Sequence, residues 1–186
     1  MDTQSILTAD FVGSMPKVKT HHWAGVTLSL KNMFGAIPGS VYGWPKNVLH
    51  WKGIDRSILD INRTMPAHFV IADGIVAMEG NGPLHGTARD LGRIVMSDDP
   101  VAADFTCARL MGFDPYLISH LAQAAQVLGN GDVQRIDQTG RDIAADGASV
   151  FGFARVSPSY RRRMLFGFGA VGAILRVPMS SHAHFC

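Results

Sequence analysis

The chain has few cysteines, little charge and no secretory signal, and each shortage excludes a class of protein. Its 186 residues include two cysteines, Cys107 and Cys186, whereas a zinc or iron–sulfur site takes about four ligands. Charged residues make up 17% of the chain and the net charge is +2, which is too small to indicate nucleic-acid binding. Residues 1–10 lack a basic-then-apolar pattern, and we therefore expect a cytoplasmic protein.

Hydrophobic residues make up 47% of the chain, which is enough for a globular core. Short apolar runs alternate with segments of helical periodicity, and this order predicts an α/β fold with a mixed or mainly parallel sheet flanked by helices. The expected strands are 9–13, 68–73, 91–96 and a short one at 133–136. The expected helices are 25–34, 55–65, one from Asp99-Pro100 to Gly112 and one from Asp114-Pro115 to Gly129.

A change of composition divides the chain into two parts. Residues 1–149 are expected to form the α/β domain, and residues 150–186 a C-terminal appendage. In the appendage Arg161, Arg162 and Arg163 precede an apolar run of 12 residues, 164–175. A helix that spans a bilayer needs roughly twenty residues. The run is therefore interpreted as a docking helix or as an anchor on a membrane surface.

Basic residues are concentrated near residue 20. In an extended segment Lys17, Lys19 and His21 lie on one face, because side chains alternate with a period of two. Two ammonium groups and an imidazole on one face suit a carboxylate or a phosphate. Lys31, at the end of the next predicted helix, could join them, with Lys19 and His21 polarising the bound anion. The alternative interpretation is a solvated basic edge of the sheet.

Carboxylates form a second group. Asp73 is expected at the C-terminal end of a strand, where open α/β sheets place their ligands, and Glu79 on the glycine-rich loop that follows. Together with Asp104 they could hold a divalent cation such as magnesium. Asp73 and Glu79 could instead position a proton, and Asp104 could pair with one of the lysines.

Cys107 lies three residues after Asp104 on the same predicted helix. A buried structural cysteine and a nucleophilic thiol both fit this position. The nucleophile would need a neighbouring base, which His21 or His22 could supply.

Several blocks of the sequence resemble one known family, the domain of unknown function 362 (DUF362). The blocks are Pro-Lys-Val-Lys-Thr-His-His at 16–22, Ser-Leu-Lys-Asn at 29–32, Tyr-Gly-Trp-Pro-Lys-Asn at 42–47, residues 73–83, residues 99–104 and residues 107–112. They follow the order of the family between about residues 9 and 129. The first two blocks supply the residues expected to bind a ligand or cofactor: Lys17, Thr20, His22, Lys31 and Asn32.

The resemblance implies an α/β protein of a family that is often associated with iron–sulfur clusters, ferredoxin-like modules and redox genes. The family's clusters usually sit in a separate Cys-x-x-Cys-x-x-Cys module. This chain has no such motif, and cluster binding does not carry over. The expected partners are a small anionic ligand and a ferredoxin-like or iron–sulfur protein, with no nucleic acid. A divalent metal ion is the one cofactor that the residues suggest.

Members of the family usually carry a sizeable α/β portion before the lysine-threonine-histidine block, which here begins at Pro16. The chain therefore resembles the C-terminal half of the domain. We expect apolar surface that needs a second copy or another subunit to cover it. Two functions stay open. One is a redox-associated or metal-dependent enzyme acting on a small anion, and the other is a non-catalytic partner subunit or an inactive fragment.

Overall fold

A computed structural model of the chain describes residues 3–43, 46–141 and 143. Its elements form one sheet with helices packed on it. The strands are β1 (Gly13–Ser14), β2 (Lys17–His21), β3 (Gly25–Thr27), β4 (Phe69–Asn81) and β5 (His85–Ser97). The α-helices are α1 (Thr3–Leu7), α2 (Ser29–Asn32), α3 (Gly39–Tyr42), α4 (Asn47–Trp51), α5 (Ile54–Thr64), α6 (Pro100–Leu110) and α7 (Ser119–Val127). Short 3-10 helices follow at Met33–Ala36, Pro115–Leu117 and Val133–Arg135.

The sheet is organised around β4, its long inner strand. On one side β5 runs antiparallel to it along its length. On the other side β1 and β2 lie end to end and parallel to β4, with Gly13 opposite Phe69 and Lys17 opposite Asp73. Strand β3 pairs antiparallel with β2 at the outer edge. The sheet is therefore mixed, and the predicted α/β fold is confirmed.

Helix α6 packs against β4 and β5 and forms the centre of the core. Its Phe105, Cys107 and Ala108 are fully buried, and they meet Val70 and Ala72 of β4 in one hydrophobic cluster. The predicted start of this helix is confirmed, because the Asp99 side chain accepts hydrogen bonds from Val101 N and Ala102 N. These two bonds fix where the core helix leaves the sheet.

The second Asp-Pro pair does not open one long helix. Asp114 accepts a hydrogen bond from Tyr116 N, but only the 3-10 turn Pro115–Leu117 follows. Ile118 is extended, with φ −93° and ψ 109°, and α7 begins only after it. The prediction of one continuous helix there is wrong, because the extended backbone of Ile118 separates the 3-10 turn from α7.

Two other predictions of local structure are wrong. Residues 25–27 form a strand and not the first turn of a helix, because Gly25 takes a positive φ of 82° and pairs with His21 of β2. Residues 133–135 form a 3-10 turn and not a strand. Of the strand expected at 9–13, Gly13 belongs to β1, and Val12 O accepts a hydrogen bond from His68 N.

Strand β4 continues well beyond the predicted end at Asp73. It runs on to Asn81, with a register shift against β5 between Gly74 and Val76. A Cβ at Gly74 would lie 3.0 Å from Arg93 O, and the glycine therefore marks close packing of the two strands rather than an end. Asp73 and Glu79 consequently lie within a strand, and the expectation of a strand end and a loop is wrong.

The two faces of the sheet differ in how they are covered. Val95 of β5 packs against the core, whereas its neighbours Ile94 and Met96 are 51% and 64% exposed. Ile94 lies opposite Asp73, and Met96 lies opposite the half-buried Ile71. The face opposite α6 therefore presents apolar side chains to solvent.

The predicted appendage, residues 150–186, lies outside the described residues, as do Trp44 and Pro45 of the third family block. None of the helices in the described part of the chain is both long and apolar enough to cross a membrane. The expected cytoplasmic location stays a prediction.

Candidate functional site: a basic and aromatic cluster

The basic residues predicted on β2 lie in different environments. Val18 and Thr20 are 1% exposed and face the core, whereas Lys17 and Lys19 alternate with them and are more accessible. Lys17 lies opposite Asp73 and forms a salt bridge with it. The hydrogen bond from Lys17 is the main cause that holds the pKa of Asp73 below its ordinary value, and a hydrogen bond from Ile75 N adds to the effect. Lys17 and Asp73 thus neutralise one another on the exposed face.

His21, at the end of β2, is buried and neutral. Its Nδ1 accepts hydrogen bonds from Trp23 N at 3.0 Å and Ala24 N at 3.2 Å. The hydrogen of the neutral ring therefore lies on Nε2. Burial, the largest cause, and the nearby charges of Lys31, His22, His50 and His120 together lower the pKa of His21 to about 2. His21 thus offers a hydrogen-bond donor that keeps its protonation state across physiological pH.

Thr20 and His22 hold the turn between β4 and β5. Thr20 Oγ1 donates to Gly80 O at 3.0 Å, while the backbone N and ring Nδ1 of His22 both reach Gly82 O, at 3.1 Å and 2.9 Å. The ring of His22 stacks on that of His21 with 5.1 Å between centroids. Thr20, expected to bind a ligand, therefore has a structural partner, and His22 lies beside His21.

Lys31 lies on α2, half-buried against an aromatic ring. Its Nζ is 4.0 Å from the centroid of Phe34, a cation–π distance. Burial is the main cause that lowers the pKa of Lys31 to about 8, and repulsion by Lys46 and Lys19 adds to it. Lys19, His21 and Lys31 therefore lie near one another, while Lys17 pairs with Asp73.

Two members of this site, Lys46 and His50, were not predicted. Lys46 has a left-handed backbone with φ 66°, and its buried Nζ donates to Phe34 O and Gly35 O, both at 3.0 Å. His50 Nδ1 donates to Lys46 O at 3.0 Å. In the sequence Lys46 belongs to the third family block, which is a usable signal, but nothing in the local pattern distinguishes His50.

Rings connect these side chains into one cluster. His50 makes edge contacts with Trp23 at 5.2 Å and with Phe34 at 5.1 Å between centroids, and Trp23 meets His22 at 6.3 Å. We call this set the basic cluster: Lys19, His21, His22, Lys31, Lys46 and His50, with Trp23 and Phe34. The neighbours whose charge shifts the pKa of His21 or Lys31 are all lysines or histidines. In the part of the chain that the structure describes, the cluster thus concentrates basic groups, and no carboxylate is among these neighbours.

The buried carboxylate of Asp104 has a different position from the one predicted. Its oxygens accept hydrogen bonds from Ser29 N at 2.7 Å and Leu30 N at 2.9 Å, the first amides of α2. Burial raises its pKa to about 7, against the opposing effect of the two amides. Asp104 does not pair with a lysine. It positions the short helix that carries Lys31.

The three carboxylates expected to bind a metal have separate partners. Asp73 bonds Lys17, Asp104 bonds the amides of α2, and Glu79 lies 3.5 Å from Arg89 of β5. Within residues 3–43, 46–141 and 143, no group of three or more His, Cys, Asp and Glu side chains is arranged to hold a metal ion. The observed donor set therefore does not fit the expected magnesium site.

Two further candidates have structural surroundings. Cys107 is fully buried, and burial raises the pKa of its thiol well above the ordinary value, with the carboxyl of Asp104 adding to the effect. A nucleophilic thiolate does not form under those conditions, and the structural interpretation holds. Asn32 donates to Ser14 Oγ at 3.2 Å and thereby ties α2 to β1.

Known proteins resemble this chain over a large part of its length. The model of the family described as "Domain of unknown function (DUF362)" matches residues 3–109. "Thylakoid-associated protein sll1697" of Synechocystis sp. is 32% identical over 123 residues, which cover 64% of this chain. The match spans 38% of the length of that relative. No solved structure matches the chain significantly.

Proposed function

Since this chain belongs to the DUF362 family, whose description names no activity, we propose its function from the basic cluster. The chain binds a small anion, a phosphate or a small carboxylate, through Lys19 and Lys31, with His21 as a neutral hydrogen-bond donor. This function keeps the anionic ligand expected from the sequence. It requires no metal ion.

The observation that carries the proposal is the uncompensated charge of Lys31. Its ammonium group is half-buried beside Lys19 and Lys46, and within the described part of the chain it contacts the ring of Phe34 rather than a carboxylate. Burying a charge beside like charges costs free energy, and a bound anion would offset this cost. A site of this kind is therefore best satisfied when it is occupied.

The hydrogen-bonding pattern gives the cluster directionality. Nε2–H of His21 can donate to an anion oxygen, since Nδ1 is occupied by two backbone amides. Such a donor needs no proton from solvent, because the low pKa of His21 keeps the ring neutral. Lysines supply the charge and His21 the orientation of the ligand.

Isothermal titration calorimetry with inorganic phosphate and with acetate tests the proposal. We expect saturable binding, and Lys31→Met should weaken it about tenfold or more, because a charge-assisted contact contributes roughly 1.5–3 kcal/mol. The matched control is Lys52→Met, since Lys52 is exposed and follows the last residue of α4. Absence of saturable heat for both anions, or equal affinities of Lys31→Met and the wild type, would refute the anion site.

A further inference from the structure

Lys31 differs from the other four lysines of the chain in what its amine contacts. Lys17 is paired with Asp73, Lys46 donates to two carbonyl oxygens, and Lys52 is exposed. Lys19 is half-buried on β2. Among the described residues, only the Lys31 amine lies over a ring, at 4.0 Å from the centroid of Phe34, and the charges that lower its pKa are those of lysines.

We propose that Lys31 is a nucleophilic amine that forms an imine with a 2-oxo acid bound in the basic cluster. This proposal rests on the proposed function, because the carboxylate of the 2-oxo acid is the anion that Lys19 would hold. A 2-oxo acid is the class that fits, since its carbonyl lies next to its carboxylate. One small ligand can then reach a lysine pair and a neutral donor at once.

Burial and neighbouring cations favour the neutral amine that the reaction needs, whereas the ring of Phe34 beneath Nζ favours the ammonium form. A lysine becomes nucleophilic at neutral pH when it is desolvated or lies next to another cation. Both conditions hold here, since burial and the charges of Lys46 and Lys19 lower the pKa of Lys31 to about 8. At pH 7.5 an amine with that pKa is neutral about a hundred times more often than an ordinary lysine.

The reaction is a condensation whose atoms balance without an oxidant or reductant. The lone pair of Lys31 Nζ attacks the carbonyl carbon, and the carbonyl oxygen takes up a proton to give a carbinolamine. The C–O bond then breaks, and the oxygen leaves as water with both hydrogens of the amine, which leaves a C=N bond. Nε2–H of His21 acts only as a hydrogen-bond donor here, because the low pKa of His21 keeps the ring neutral near pH 7.

Reductive trapping tests this inference on the full chain. The protein is incubated with pyruvate and sodium cyanoborohydride at pH 7.5, digested, and the extent of labelling at each of the five lysines is measured by mass spectrometry. We expect labelling of Lys31 to exceed that of Lys52 by about tenfold or more. Lys31→Arg should remove the label from this peptide, while Lys52→Arg leaves labelling of Lys31 unchanged.

Calorimetry with lactate, which has the carboxylate but no carbonyl, separates this inference from the proposed function. Lactate binding together with equal labelling of all lysines would overturn the imine while the anion site stands. If neither lactate nor pyruvate binds and Lys31 is not labelled preferentially, both proposals fail. Preferential labelling of Lys31 that excess lactate suppresses would support both.

Discussion

The charge state of Lys31 decides the behaviour of the site at the scale of single residues. Its lowered pKa of about 8 means that the lysine loses its positive charge within an accessible pH range. The ammonium form binds an anion and the amine form attacks a carbonyl, and one residue can therefore serve both proposals.

We predict that anion affinity falls as the pH rises through about 8, since the bound anion needs the protonated Lys31. Sulfate is the suitable probe, because its own charge does not change in this range. Above pH 8 the association constant should fall by up to about tenfold per pH unit. Calorimetric titrations between pH 6.5 and 9.5 measure it. An affinity that stays constant to pH 9.5 would show that Lys31 is not the cation involved.

A second prediction at this scale concerns Asp104. Its folded pKa of about 7 lies above the ordinary value of 3.8, so the folded protein holds a proton that the unfolded chain releases. Asp104 should therefore make the free energy of unfolding fall as the pH rises from about 4 to about 7. The total effect is up to about 4 kcal/mol.

Urea unfolding of the wild type and of Asp104→Asn at pH 5 and pH 7.5 measures this contribution. The asparagine does not titrate, and the difference between the two proteins isolates Asp104 from the histidines, whose titration they share. We expect the wild type to lose more stability than Asp104→Asn between the two pH values. Equal losses would mean that the carboxyl group is already ionised at pH 5.

At the scale of elements, the site depends on how the turn between β4 and β5 docks on β2. Gly82 O receives both the backbone N–H and the ring N–H of His22. A Cβ at Gly82 would overlap the carbonyl oxygen of Thr20, and only glycine therefore fits this contact. The turn thus fixes the orientation of His22 beside His21.

Gly82→Ala should lower the free energy of unfolding by about 2 kcal/mol or more, because backbone atoms would have to move apart. Gly13→Ala is the matched control, since Gly13 lies in a strand of the same sheet and a Cβ there meets nothing within 4 Å. Thermal unfolding of the two variants and the wild type gives the comparison. A Gly82→Ala protein as stable as Gly13→Ala would mean that the turn does not rest on β2 as described.

The elements also show what the sequence could and could not predict. The Asp99-Pro100 start of α6 was predictable, since one side chain caps its own helix within three residues. The length of β4 was not, because Asp73-Gly74 has the local pattern of a turn, and pairing with β2 and β5 keeps the strand extended. Lys19, His21 and Lys31 were predicted together from strand alternation and a neighbouring helix. His50 joined them only through tertiary packing.

At the scale of the whole molecule, the exposed apolar face of the sheet is the feature that departs from an ordinary surface. Ile94 and Met96 of β5 lie on it, and Ile75 of β4, at the register shift between the two strands, is exposed as well. An exposed sheet face with several large apolar side chains favours association, because burying it removes apolar area from water. The expectation of self-association or of a covering subunit therefore remains a prediction.

Sedimentation velocity at low micromolar concentration checks this expectation. We predict species larger than a monomer, and the double variant Ile94→Thr/Met96→Thr should shift the distribution towards monomer. The exposed pair Val41→Thr/Val48→Thr on α3 and α4 is the control, because it removes similar apolar area from elements away from the sheet. A wild-type protein that sediments as one monodisperse monomer would remove the expectation.

The account as a whole depends on whether an anion binds at the basic cluster and nowhere else. Proton–nitrogen NMR spectra of the histidine rings, recorded during titration with sulfate, test this most directly. The reference is His68, which precedes β4 at the end of the strand opposite the cluster. We predict saturable shifts for His21 and His22 and none for His68. Shifts that are absent from His21 and His22, or equal at all three rings, would contradict the account.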